Sequence, residues 1–253
     1  VVYHPGAAIG YFAAARLGVP SILASPFPMT PTRAYPALLV YGRARLGARG
    51  NLLSHRAFER VLWGASSGAV ARFWRERFGG LPPGFGAPFA RQRSERLPTL
   101  VSCSPQVFPR PDDWPPHVHA TGYWFLPDDP SWTPPEGLRD FLEDGPPPVY
   151  VGFGSMGGAQ PEHATQAVLE ALRRTGRRGV LATGWGGLAR PGARSDAFVL
   201  ESAPHGWLFP RMAAVVHHGG AGTTAAGLRA GVPSVSVPHA NDQFAWGRRL
   251  YEL

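Results

Sequence analysis

From residue 149 onward the chain alternates short apolar runs with helix-period segments, and most of the apolar runs end in glycine. This alternation constrains the fold more than any other feature. Strands are expected over 149–153, 178–182, 198–200, 213–217 and 234–237. Helices are expected over 161–175, over 222–230 and from 242, with a short helical turn at 207–212. Near-continuous apolar strands separated by helices predict a parallel, doubly wound α/β sheet. Ligands of such sheets lie outside the carboxyl ends of the strands, where the glycine-rich turns of this chain fall.

The first half is less regular. Residues 1–25 read as strand, helix, strand, with the helix over 7–17, Gly18 as its terminator and Pro20 before the next apolar run. That order makes a right-handed βαβ unit. Residues 26–53 are rich in proline, glycine and aromatics without a sustained period. Ser54 is the expected N-cap of a long helix carrying Phe58, Val61, Leu62, Ala65, Ala69, Val70, Phe73 and Trp74 on its apolar face. Its polar face bears Arg72, Arg75, Glu76 and Arg77, which reads as a solvated face, with contact to a membrane surface as the alternative. A buried strand is expected at 97–102, and a Gly/Pro linker at 143–148 sets a boundary between domains 1–144 and 145–253.

Composition excludes several classes. With 44% hydrophobic and 17% charged residues, the 253-residue chain is globular rather than disordered. The net charge of +8 is carried by arginine alone, beside 32 Gly and 28 Pro, which reads as GC-rich coding bias, and no nucleic-acid partner is expected. A single cysteine, Cys103, rules out an intramolecular disulfide framework. No apolar run approaches the ~18 residues that span a bilayer, and a cytoplasmic location is expected. The first residues lack a Met or a leader and the last stop inside a helical pattern, so a fragment at both ends is expected.

Four stretches could carry chemistry. Gly152-Phe153-Gly154-Ser155-Met156-Gly157 follows a strand and matches G-x-G-x-x-G. A dinucleotide site would need an acidic residue at the end of the next strand, which instead reads Ala182-Thr183-Gly184. A nucleophile elbow fails because Phe153 stands where G-x-S-x-G requires glycine. Gly154 and the Ser155 hydroxyl facing a phosphate, or an ordinary tight turn, remain. The second stretch is His217-His218-Gly219-Gly220-Ala221-Gly222-Thr223-Thr224, a strand end, a glycine turn and a helix start. Bare N–H groups and hydroxyls at a helix N-terminus hold a diphosphate without metal or lysine. Adjacent strand residues point to opposite faces, so His217 and His218 are not expected to share a metal; one should pack in the core while His218 faces a phosphate. In the third, Pro238-His239-Ala240-Asn241-Asp242-Gln243, Asp242 is either an N-cap or, with Gln243, a clamp for vicinal sugar hydroxyls. The fourth, Ala203-Pro204-His205-Gly206-Trp207, could present backbone groups to a base edge.

Together these residues resemble the family 1 glycosyltransferases of the GT-B fold. The run from Pro204-His205-Gly206-Trp207 through His218-Gly219-Gly220-Ala221-Gly222-Thr223-Thr224 to Asp242-Gln243 is similar to that family's donor-binding signature. Thr30-Pro31-Thr32-Arg33-Ala34-Tyr35-Pro36, Thr121-Gly122-Tyr123-Trp124-Phe125-Leu126 and Val151-Gly152-Phe153-Gly154-Ser155-Met156 look like segments of sterol 3-β-glucosyltransferases. Bacterial enzymes that glycosylate macrolides or glycopeptides share the second stretch. The resemblance implies two Rossmann-like domains, both incomplete here, the first for an apolar acceptor and the second for a UDP- or dTDP-sugar. It assigns Gly154, Ser155, His218, Gly220, Ala221, Gly222, Thr223 and Thr224 to the diphosphate and Asp242 and Gln243 to the sugar. Ser202 and His205 fall at the base, although Ser202 stands where relatives stack a tryptophan and Ala226 where they place a glutamate for the ribose. It implies inverting transfer of a hexose, with UDP-glucose and a sterol as the leading pair and no cofactor or metal. A dTDP-sugar enzyme acting on a macrolide, polyketide or glycopeptide, and a non-catalytic nucleotide-sugar binder, are the alternatives. The catalytic base is expected upstream of Val1, so the chain is expected to hold a donor without transferring its sugar alone.

Overall fold

A computed structural model describes residues 1–253 except 128, 155–159, 185, 186, 191, 193 and 194. Two compact units divide it, Val1–Trp124 and Phe125–Leu253. In the first, strands β1 (Val2–Tyr3), β2 (Ile22–Ser25), β3 (Thr99–Val101) and β4 (Val118–Ala120) form a parallel sheet in that order. Helix α1 (Ile9–Leu17) links β1 to β2 and ends on Gly18 at φ 63°, a left-handed position suited to glycine. The long helix α2 spans Gly47–Phe78 and the short α3 Pro88–Ser94. Aromatic side chains of α1 and α2 fill the core, with Phe12 stacked against Phe85 and packed beside Trp63 and Trp74.

Helix α2 begins seven residues before the expected cap. Ser54 lies inside it, where its hydroxyl donates to the Asn51 carbonyl (2.7 Å) and accepts from the Ala37 N–H (2.9 Å). Buried polar groups pin the aperiodic segment before the helix. Asn51 donates to the Arg33 carbonyl, and the His55 ring lies within bonding distance of the Met29 and Tyr35 carbonyls. From a later loop, Asp113 accepts from the Thr32 hydroxyl (2.5 Å) and the Arg33 N–H (2.7 Å).

The second unit holds β5 (Val149–Gly152), β6 (Gly179–Ala182), β7 (Ala197–Leu200), β8 (Ala214–His217) and β9 (Ser234–Ser236). All pair in parallel in the order β7-β6-β5-β8-β9. Tyr150 and Val180 pack on one face and Val151 and Leu181 on the other, so both faces are buried, as continuous apolar strands require. Helices α5 (Pro161–Thr175), α6 (His205–Leu208), α7 (Ala221–Ala230) and α8 (Gln243–Glu252) follow as expected. An unanticipated helix α4 (Leu138–Glu143) precedes β5, and its Leu138 is fully buried in this unit's core. Residues 125–144 therefore belong to the second unit, and the division falls at 124/125 rather than 144/145.

Chain order runs outward from β5 to β6 and β7, then returns to the other side at β8. The switch point of this doubly wound sheet lies between the carboxyl ends of β5 and β8, where such sheets bind ligands.

Candidate nucleotide-sugar site

Gly152 of β5 pairs with His217 of β8, so the turns after both strands leave the switch point side by side. His218 joins them. A Cβ placed on Gly154, itself at φ 61°, would stand 3.3 Å from His218 Cε1, and one placed on Gly220 only 2.5 Å from Nε2. The imidazole is thus seated between two glycines that leave room for it. Gly220 is also the N-cap residue of α7, which has no side-chain cap and no acidic residue in its first turn. Free N–H groups and the positive end of the helix dipole therefore lie beside the His218 ring.

The neighbouring His217 is fully buried, and its Nδ1 accepts from the Gly219 N–H at 3.1 Å, so in the neutral ring the proton sits on Nε2. Burial, then the proximity of His218 and His205, depresses its pKa to about 4. Burial also lowers His218, with His239 adding to the effect and Asp242 opposing it. Among the described residues of the second unit, the buried side-chain polar atoms without a partner fall on β8, α7 and β9 and in the turn after β8, those of His217 and His218 at the site itself. They are His217 Nε2, His218 Nδ1, Thr224 Oγ1, Ser234 Oγ and Ser236 Oγ. Such atoms cost free energy unless water or a ligand satisfies them.

The third stretch folds back onto the same edge. A Cβ on Gly219 would meet Ser236 Oγ at 2.6 Å and the Gln243 carbonyl at 3.0 Å, so the β8 turn packs against the start of α8. Gln243 is buried, and its Oε1 accepts from the His239 and Ala240 N–H groups at 2.7 and 2.9 Å, fixing this loop. Asp242 makes no capping bond to α8. Its Oδ2 instead accepts from the Trp246 indole at 2.8 Å, which orients a half-buried carboxylate at the helix start.

A cavity of about 470 Å³ opens along α7, lined by Gly222, Thr223, Ala226 and Arg229 of that helix, by His205 and Pro210, and by Phe125 and Leu126. His205 stacks on Phe209 with ring centroids 4.3 Å apart, and the Arg229 guanidinium lies 4.5 Å over the Phe125 ring. The structure thus brings His205, Gly222 and Thr223 to one cavity, and Gly154, His218 and Gly220 together across two adjoining turns. Thr224 points inward, fully buried, while Ser202 is exposed and not among the cavity's lining residues. Ser155 lies outside the described residues. Sequence reasoning missed Arg229, although its spacing from Gly222 and Ala226 places all three on one helical face. Phe125 and Leu126 belong to the 121–126 segment singled out by its resemblance, which gave them no place in a cavity. Among the described residues, no group of three His, Cys, Asp or Glu could hold a metal ion.

Two parallel α/β sheets, the second doubly wound with a glycine-lined, uncapped helix start at its switch point, form the GT-B type of fold. Solved glycosyltransferases share this fold, and curated relatives are similar to the whole of this chain. Residues 194–253 match the family model described as Erythromycin biosynthesis protein CIII-like, C-terminal domain. A sterol 3-beta-glucosyltransferase of Cryptococcus neoformans is 37% identical over 277 residues, covering 100% of this chain and 17% of the relative. The sterol 3-beta-glucosyltransferase UGT80B1 of Arabidopsis thaliana is 38% identical over 255 residues, covering 100% of this chain and 41% of the relative. Among solved structures, Streptomyces sp. SF2575 glycosyltransferase SsfS6, complexed with thymidine diphosphate, superposes with a TM-score of 0.56 at 21% identity, covering 100% of this chain and 55% of that one. The chain therefore spans less than half the length of these two curated relatives.

Proposed function

We propose that the second unit binds the nucleoside diphosphate of a UDP-sugar, UDP-glucose above all, for transfer of the hexose to a hydroxyl of an apolar acceptor such as a sterol. The observation that carries this reading is the seating of His218 between Gly154 and Gly220, against the uncapped start of α7. There an imidazole N–H and backbone N–H groups converge on one anion without a metal. As the bond to the anomeric carbon breaks, charge grows on the departing diphosphate, and donors already in place stabilise it. Asp242, held by Trp246, accepts from sugar hydroxyls. Gln243 gives its oxygen to the loop, so it acts mainly by shaping the sugar's surroundings. The base that deprotonates the acceptor is not assigned to a residue of this chain. The sterol preference is supported by the similarity of the whole of this chain to part of sterol 3-beta-glucosyltransferases.

A second reading, a dTDP-sugar and a polyketide-type acceptor, is favoured by the erythromycin-type match and the thymidine diphosphate in the SsfS6 structure. Labelled UDP-glucose and dTDP-glucose, each offered with a sterol and with a macrolide aglycone, separate the two. Lipid-soluble product from UDP-glucose and the sterol supports the proposal. Product from dTDP-glucose and the aglycone alone assigns the second reading. Calorimetric binding of neither nucleotide contradicts both.

A further inference from the structure

The cavity of about 470 Å³ in the second unit starts at Gly222 and Thr223, in the first turn of α7, and reaches Arg229 and Ala230 at the end of that helix. Gly222, Ala226, Arg229 and Ala230 stand at i, i+4, i+7 and i+8, which sets them on one helical face. The other three are glycine or alanine, so Arg229 is the long side chain of that face. A rise of about 1.5 Å per residue places it ~10 Å along the axis from Gly222. Helical side chains lean toward the N-terminus, which carries Arg229 back over the turn of Ala226, where a methyl group leaves it room.

Arg229 is exposed and makes no ion pair among the described residues. Its guanidinium lies 4.5 Å over the Phe125 ring, a cation–π contact that steadies the group without consuming an N–H. Among the described residues, no carboxylate lines the cavity. A ligand here meets a steadied fork of donors and must offer acceptor oxygens side by side. With a diphosphate at the start of α7, the next group of a nucleotide along this face is its pentose. The vicinal 2′- and 3′-oxygens of a ribose are two adjacent acceptors. The carbonyls of a pyrimidinedione instead flank a ring N–H, which opposes a donor fork.

We propose that Arg229 is a specificity-determining residue of the donor site: it binds the ribose 2′- and 3′-hydroxyl oxygens and so selects a ribonucleotide over its 2′-deoxy counterpart. This rests on the donor reading of the second unit and supplies the physical basis for its preference for UDP over dTDP. The test is calorimetric titration of the chain with UDP and with 2′-deoxy-UDP. The two carry the same diphosphate and base, so general attraction to a cation cancels in the ratio of their affinities. Expected in the parent is a roughly tenfold preference for UDP, the worth of one hydrogen bond to a charged group. In Arg229→Met, which has no N–H to donate, the two nucleotides should bind alike. Methionine is as good a helix former as arginine and the position is exposed, so α7 is expected to persist, as circular dichroism checks. A parent that binds both nucleotides alike, or a preference for UDP that survives Arg229→Met, overturns this inference. The donor reading then still stands if His218→Ala weakens UDP binding. A parent that binds neither nucleotide overturns both.

Discussion

The sharpest consequence of the site geometry concerns Gly220→Ala. The backbone at this position, φ −64° and ψ 148°, is open to any residue, so the substitution strains nothing by itself. Alanine is a poorer N-cap than glycine, but it also restricts the unfolded chain. These effects are each about 1 kcal/mol and opposite in sign, so the net stability change is small. The decisive contact is the new methyl group at 2.5 Å from His218 Nε2 and 3.3–3.4 Å from two ring carbons. A contact this short forces the ring to shift from its seat between Gly220 and Gly154. If His218 holds the diphosphate, this forfeits a charge-assisted hydrogen bond of about 1.5–3 kcal/mol, a roughly ten- to hundredfold loss in affinity. Isothermal titration with UDP reads it directly. His218→Ala should lose the same amount, and the double variant should bind no worse than either single one, because a side chain cut back to a methyl group offers no ring to clash with. Additive losses across this cycle, or a Gly220→Ala protein that binds UDP like the parent, would refute the reasoning.

Other outcomes follow from the same geometry. His217 keeps its neutral form down to about pH 4, whereas an unfolded histidine protonates near 6.5. The unfolded state thus takes up the extra proton as pH falls, so stability is full above 6.5 and drops by about 1.4 kcal/mol per pH unit toward 4. Urea midpoints at pH 7, 6 and 5 check this, and a flat profile contradicts it. Gln243→Ala strips the acceptor from the His239 and Ala240 N–H groups and should cost about 1–3 kcal/mol in thermal unfolding. Gln243→Glu keeps an acceptor and should recover most of that; equal losses would place the effect elsewhere. Gly154→Ala enforces a left-handed φ of 61° on alanine and crowds His218, so it should lose about 1–2 kcal/mol and weaken UDP binding, as calorimetry on both axes would show.

The second unit was legible because its central strands β5, β6 and β8 are largely buried and read as apolar runs, and because glycine turns follow them. Helix α4, with six residues, and strand β4, with three, are too short for periodicity to register. The start of α2 was hidden by Gly47, Gly50 and Asn51, poor helix formers that are held by tertiary bonds such as Asn51 to the Arg33 carbonyl. At the site, the glycines and His218 could be read from the strand-turn-helix pattern. The inward turn of Thr224, the loop-fixing role of Gln243 and the Phe125–Arg229 wall depend on contacts across the fold, which spacing does not encode.

The measurement that bears most directly on the central claim is ¹⁵N-resolved NMR of the chain titrated with UDP, following both the backbone amides and the His218 imidazole. The account predicts shifts concentrated at Gly154 and at Gly220 through Thr224. It also predicts a His218 pKa that rises on binding, since a diphosphate offsets the burial that lowers it in the free protein. Shifts confined to the first unit, or a His218 titration that UDP leaves unmoved, would contradict it.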